Sequence, residues 1–153
     1  MALRLITALA VCLVSGFGGT AEDKPKSDSQ LLQGSWDWDP AVEQPDAVPP
    51  ILLERIVIKG NTLTFHYSLE GKKTPCTTEF KLDPKASPKE IDFTTTGWGK
   101  DQTYRGLYEV KDGQLKICYR GPGCTRPKNF DDKREPNSTF TTVFIVLKPT
   151  PIA

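Results

Sequence analysis

The chain has 153 residues, with 20 Lys and Arg against 19 Asp and Glu and a single His. Near-neutral charge with interspersed signs excludes the basic surface that nucleic acid or an anionic membrane requires of a partner. Thirteen Pro and twelve Gly punctuate the chain too often for long helices and favour many short strands.

The N-terminus has the order of a secretory signal. Met1 to Arg4 is a short basic start, Leu5 to Val14 is an apolar run, and small residues follow from Ser15 to Ala21. Gly19 and Ala21 are small enough for a signal peptidase, which places the cut between Ala21 and Glu22. The apolar run is too short to span a bilayer as a helix, so no membrane span is expected. Lipidation of Cys12 is the rival reading; Val11 is bulky for the position before that cut, and cleavage there would divide the apolar core. Loss of residues 1–21 removes Arg4 and no acid, leaving a neutral mature chain of about 130 residues, which suits one domain with one core.

Residues 22–30 read as a disordered leader. Lys24-Pro25-Lys26-Ser27-Asp28-Ser29 is polar and cannot bury enough surface to offset its ordering entropy. The domain is expected over residues 31–149, with a tail at 150–153. Gly34 to Trp38 is the first strand, followed by a Pro-rich excursion through Pro40, Pro45, Pro49 and Pro50 that cannot be a central strand. Arg55 to Ile58 and Thr62 to Tyr67 flank the turn Lys59-Gly60-Asn61 and form a hairpin. Cys76 to Leu82 and Glu90 to Thr94 follow. Thr103 to Val110 and Gln114 to Tyr119 meet at Lys111-Asp112-Gly113, a second hairpin, and Thr141 to Lys148 is the last strand. A single helical turn is allowed only near Val48 to Leu53 or Pro127 to Asp131.

Alternation assigns the faces. Leu63, Phe65 and Tyr67 oppose Thr62, Thr64 and His66, while Leu115, Ile117 and Tyr119 oppose Gln114, Lys116 and Cys118, so one face is dry and the other wet. Antiparallel strands with one dry face can bury it as a sandwich or by closing into a barrel, and eight in up-and-down order suit a small all-β barrel.

Leu32-Gln33-Gly34-Ser35-Trp36, Gly60-Asn61-Thr62-Leu63, Phe80-Lys81-Leu82-Asp83-Pro84, Pro88-Lys89-Glu90-Ile91-Asp92, Gly106-Leu107-Tyr108, Asp112-Gly113-Gln114-Leu115-Lys116-Ile117-Cys118, Arg126-Pro127 and Val146-Leu147-Lys148 stand in this order. The series resembles a small secreted domain of unknown function abundant in planctomycete bacteria. That resemblance spans Leu31 to Lys148 and implies export and a lipocalin-like fold; the family has no assigned activity and implies no catalytic residue. Gly34-Ser35-Trp36 is also similar to the Gly-x-Trp signature of lipocalins, which implies that Trp36 plugs one end of the barrel. Where that signature has a covering Arg after the last strand, this chain has Lys148 and no Arg.

Catalytic chemistry finds little footing. One His, His66, cannot build a multi-histidine metal site, and no nucleophile elbow, phosphate loop or zinc-protease pattern is present. Asp37 with Asp39 and Asp131 with Asp132 are carboxylate pairs, but the first should share a solvated face opposite Trp36 and Trp38. No catalytic residue, metal site or cofactor is therefore expected, and the chain reads as a non-enzyme. Cys76, Cys118 and Cys124 remain after export, an odd number in an oxidising compartment. Up-and-down order brings Cys76 to the same barrel end as Cys118 and Cys124 and leaves either pairing open. In the resembling family the position of Cys118 is commonly an unpaired cysteine, which implies a Cys76–Cys124 bridge, with Cys118–Cys124 as runner-up. Asn137-Ser138-Thr139 matches a glycosylation acceptor, and the bacterial source that the resemblance implies would make the match incidental.

Two functions of different class are compatible with such a barrel. One is a monomeric binding module that holds a small apolar ligand against Trp38, Phe65, Tyr67, Phe93 and Tyr108. The other is an envelope or extracellular interaction domain with a filled core that contacts a protein through the Pro40–Pro50 loop or the Arg120–Arg134 segment. The export reading is tested by intact-mass measurement of the periplasmic or extracellular form: a chain starting at Glu22 is expected, and retention of Cys12 with an added lipid mass would overturn it.

Overall fold

The computed structural model describes residues 26–39, 51–69, 71–95, 101–132 and 142–151. The signal segment, the first part of the leader, the excursion from Pro40 to Pro50, Asn137 and Thr141 lie outside the described residues.

Eight strands follow one another as β1 (Gly34–Trp38), β2 (Ile51–Lys59), β3 (Thr62–Leu69), β4 (Lys72–Asp83), β5 (Glu90–Thr95), β6 (Gln102–Lys111), β7 (Gln114–Arg120) and β8 (Val143–Pro149). Each pairs antiparallel with its neighbours in sequence, and β8 returns to β1 through Trp36–Pro149, Asp37–Lys148 and Trp38–Leu147. The result is a closed, lipocalin-like, up-and-down barrel, the arrangement that eight strands in this order suit. Among the described residues no helix is long and apolar enough to cross a membrane.

The inward positions follow the period of two. Leu63 and Phe65 of β3, Ile91 and Phe93 of β5, Leu115 and Ile117 of β7 and Ile145 and Leu147 of β8 are all buried in one cluster. A bulge between Leu53 and Arg55 sets two residues of β2 against one of β3, so that Glu54 and Arg55 both lie on the outer surface while Leu53 and Ile56 keep their places inside. Gly106 faces the interior of β6, where a Cβ would stand 2.8 Å from the Cβ of Tyr119 and 2.7 Å from the carbonyl oxygen of Cys118. The close approach of β7 there needs a residue without a side chain.

One end of the barrel, the turn end, is drawn tight. Gly60 turns β2 into β3 at φ 59°, and Asp112 and Gly113 turn β6 into β7 with φ of 51° and 72°, the double positive φ of a two-residue hairpin loop. This end is covered by a helical turn, α1 (Asp28–Leu31), which differs from both places allowed for a helix above. Ile51–Leu53 instead extends β2, and residues 127–131 contain turns. Regular structure is present ahead of Leu31, since Ser27 caps α1 with a reciprocal pair of hydrogen bonds to Gln30. Tertiary contacts then hold what four residues of propensity could not. Asp28 accepts from Lys89 at 2.7 Å and from the Tyr108 hydroxyl at 2.6 Å, and these partners hold its carboxyl below the ordinary range. On the far side Gln33 bonds both backbone groups of Gly60.

The outer face is not wet throughout. Leu107, Cys118 and Val146 point outward yet are buried, because residues 121–132 cross β5 to β8 as a strap. Arg126 anchors it: Nη1 donates to the Gly106 carbonyl at 2.7 Å, and the guanidinium lies 2.6 Å from Asp92 and 3.0 Å from Glu90. Phe130 meets Phe144 edge-on, and buried Arg120 pairs with Asp132 at 3.1 Å. The expectation of a solvated face also fails at Asp39, which is 3% exposed and paired with Lys148 at 3.0 Å.

Replacing Phe65 or Ile117 by Ala removes interior volume and should cost about 2–5 kcal/mol. Replacing Thr64 or Lys116 by Ala, on outward positions clear of the buried core, should cost under about 1 kcal/mol. Chemical denaturation of the four variants reads the contrast; equal losses would contradict a one-layer barrel.

Candidate functional site

Opposite α1 lies the loop end, where β1, β3, β5 and β7 finish and β2, β4, β6 and β8 begin. Its inner wall carries an aromatic cluster. Phe65 stacks on Tyr67 with centroids 5.7 Å apart and planes 13° from parallel, and Phe93 stacks on Tyr104 at 5.3 Å and 4°. Tyr119 closes on Phe93 edge-on at 4.9 Å and on Tyr104 at 6.1 Å. The Tyr67 and Tyr119 hydroxyls interact with each other, and Cys76, in register with Phe65, lies close enough to both phenols to act on them. Leu53 stands beside Tyr67 and Val143 beside Tyr119.

Burial divides this cluster by depth. Phe65 and Phe93 are buried, whereas Tyr67, Cys76, Tyr104, Tyr119, Leu53, Val143 and the inward-facing Trp38 are only half-buried. Burial nevertheless pushes the Tyr67 phenol up, helped by the neighbouring Cys76, and pushes Tyr119 well up, with Tyr67 adding to the effect. Both hydroxyls therefore stay protonated and serve as hydrogen-bond donors near neutral pH.

Of the five residues expected to meet a ligand, the fold brings Phe65, Tyr67 and Phe93 into one cluster and puts Trp38 inward at the end of β1. Tyr108 belongs elsewhere. It is 1% exposed, and its hydroxyl is taken by Asp28 at the turn end. Tyr104 and Tyr119 take part instead. Tyr104 was legible as the residue sharing the period-two face of Tyr108, and Tyr119 as the third member of the Leu115, Ile117 series. Trp36 is 5% exposed at the turn end, where its indole N–H donates to the Leu32 carbonyl at 2.8 Å. Leu32, just after α1, fills the place over Trp36, while Lys148 points outward to Asp39 and covers nothing inside.

The expected Cys76–Cys124 disulfide is not formed, and no disulfide joins Cys76, Cys118 and Cys124 to one another. Cys76 is inside the barrel wall, whereas Cys124 is in the strap outside it. Cys118 lies under the strap with no exposed surface, and burial pushes its thiol up to about 11 although Arg120 pulls it down.

A depression of about 280 Å³ lies on the outer surface between Asp37, Glu54, Arg55, Val57, His66 and Lys73. Arg55 pairs there with Asp37 at 2.6 Å and Lys73 with Glu54 at 3.5 Å, so its charges are largely matched to one another. Among the described residues no three His, Cys, Asp or Glu side chains gather as metal ligands. No family model, curated protein or solved structure matches the chain.

Thiol chemistry tests the strap. Iodoacetamide at pH 8 should leave Cys118 unmodified in the native protein, since the reactive thiolate is scarce and covered, and Arg126→Gln should raise its labelling rate by loosening the cover. Peptide mass mapping decides it; rapid native labelling of Cys118 would place the strap elsewhere.

Proposed function

We propose that the protein is an exported, non-enzymatic binding module that takes a small, largely apolar ligand at the loop end of the barrel. The observation that carries this reading is the contrast between the two ends. The turn end is stoppered by α1, Leu32 and Trp36, while the loop end leaves four large aromatic side chains half-buried around the barrel interior. Half-buried aromatic rings give apolar contact at small entropic cost and keep a polar tip available, which suits a small-molecule site. The charge-matched outer depression offers no comparable apolar surface. The signal-like N-terminus and the resemblance to a secreted lipocalin-like domain support export.

Titration with the uncharged dye N-phenyl-1-naphthylamine tests the reading. A saturable fluorescence increase with one site per chain is expected, and Val143→Trp, which fills the wall beside Tyr119, should weaken it by about tenfold or more. No saturable increase in the native protein would favour the other class of function, an interaction domain whose aromatics only fill the core.

A further inference from the structure

The depression on the outside of β1 to β4 is shaped by the bulge of β2. Because the bulge turns Glu54 and Arg55 outward in succession, an acid and a base stand side by side on one surface. Register then sets Arg55 between Asp37 of β1 and His66 of β3, and Glu54, Val57 and Lys73 complete the lining of about 280 Å³. Phe65 and Tyr67, on either side of His66, point into the barrel, so the depression shares no side chain with the loop-end cluster.

Its ion pairs leave bonding capacity of both signs. Asp37 takes only the Nε of Arg55, at 2.6 Å, and neither Nη has a hydrogen-bond partner among the described residues. Lys73 stands 3.5 Å from Glu54, a longer contact than an ordinary charged hydrogen bond, and its side chain is 80% exposed. The Glu54 carboxylate is therefore held loosely. An open guanidinium edge and a loosely held carboxylate thus come from consecutive residues and line the same small space.

We propose that this depression binds a small zwitterion of the α-amino-acid type, with its carboxylate on the Arg55 Nη groups and its ammonium on Glu54. A lone anion on Arg55 would also face Asp37 and Glu54, and a lone cation on Glu54 would also face Arg55 and Lys73. A zwitterion meets each sign with its opposite, and an α-amino acid carries both charges on one carbon. Lys73, displaced from Glu54, returns to the water that already surrounds it. The volume is just below the roughly 300 Å³ at which pockets for drug-sized ligands begin, which limits the ligand to a few carbons.

Three probes of matched shape test the proposal: L-valine, 3-methylbutanoate and isobutylamine, titrated at pH 7.5 and constant ionic strength into the untagged, isotope-labelled mature protein. His66 is the one histidine of the chain, so its ring resonances report on the depression directly. L-Valine should shift them saturably and bind about three- to tenfold tighter than either single-charge analogue. Glu54→Gln should bring valine down to the affinity of 3-methylbutanoate, and Arg55→Gln should weaken both, while the amide spectra of the variants keep the native pattern. Valine binding no tighter than 3-methylbutanoate, binding unchanged by Arg55→Gln, or no saturable shift with any probe would overturn the proposal.

Discussion

The barrel depends on β1. This strand of five residues carries both closing ladders, to β2 through Gly34–Ile58 to Asp37–Arg55 and to β8 through Trp36–Pro149 to Trp38–Leu147. Without it β2 and β8 would each expose an unpaired edge, and the inward side chains of the other seven strands would face an opening. So short a strand has only Trp36 and Trp38 to put inside, and two indoles supply the volume. The hydrogen bond from Asp39 N–H to the Val146 carbonyl and that from Thr150 N–H to the Ser35 carbonyl carry the closure one step past each end.

Closure fixes where the chain before β1 must go. Leu32 arrives two residues ahead of Gly34, whose φ of 122° reverses the path, and the same bend places the Leu32 carbonyl on the Trp36 indole. From there α1 spans the turn end between the Gly60 turn and the Tyr108–Lys89 side, fastened by Gln33 and Asp28 at opposite edges. The loop end receives no such element from the described residues. The two ends therefore differ because the barrel is entered at one of them. The strap acts independently on the outside, giving β6 to β8 a second apolar layer and making Cys118 as buried as any interior residue.

All eight strands, both hairpins and the inward faces were legible, because a closed one-layer barrel writes its period into each strand, as in Leu63, Phe65 and Tyr67 or Leu115, Ile117 and Tyr119. What escaped was everything held by tertiary contact without local period. Asp28 and Ser29 look like linker until Lys89 and Tyr108 are brought beside them, 61 and 80 residues away in sequence. Arg126 gives no sign that it will reach the Gly106 carbonyl, and without the strap the outward position of Cys118 reads as solvent. The misplacement of Tyr108 has the same origin: alternation tells in from out but not one end of the barrel from the other, and only the partner on its hydroxyl decides.

The aromatic composition of the interior changes along its axis, and stability alone does not account for the change. Phe65 and Phe93 lie deeper and carry no polar atom, whereas Tyr67, Tyr104 and Tyr119, in ring contact with them, each add a hydroxyl. A phenyl ring would fill those places without the cost of desolvating an O–H, and a buried hydroxyl contributes only when it is bonded. Tyr108 meets that condition with a carboxylate of the chain itself, so its hydroxyl is spent on holding the lid. Tyr67 and Tyr119 meet it through each other, one hydroxyl serving as donor and the other as acceptor. Hydroxyls of the first kind belong to the scaffold, and those of the second kind stand where the interior still meets solvent.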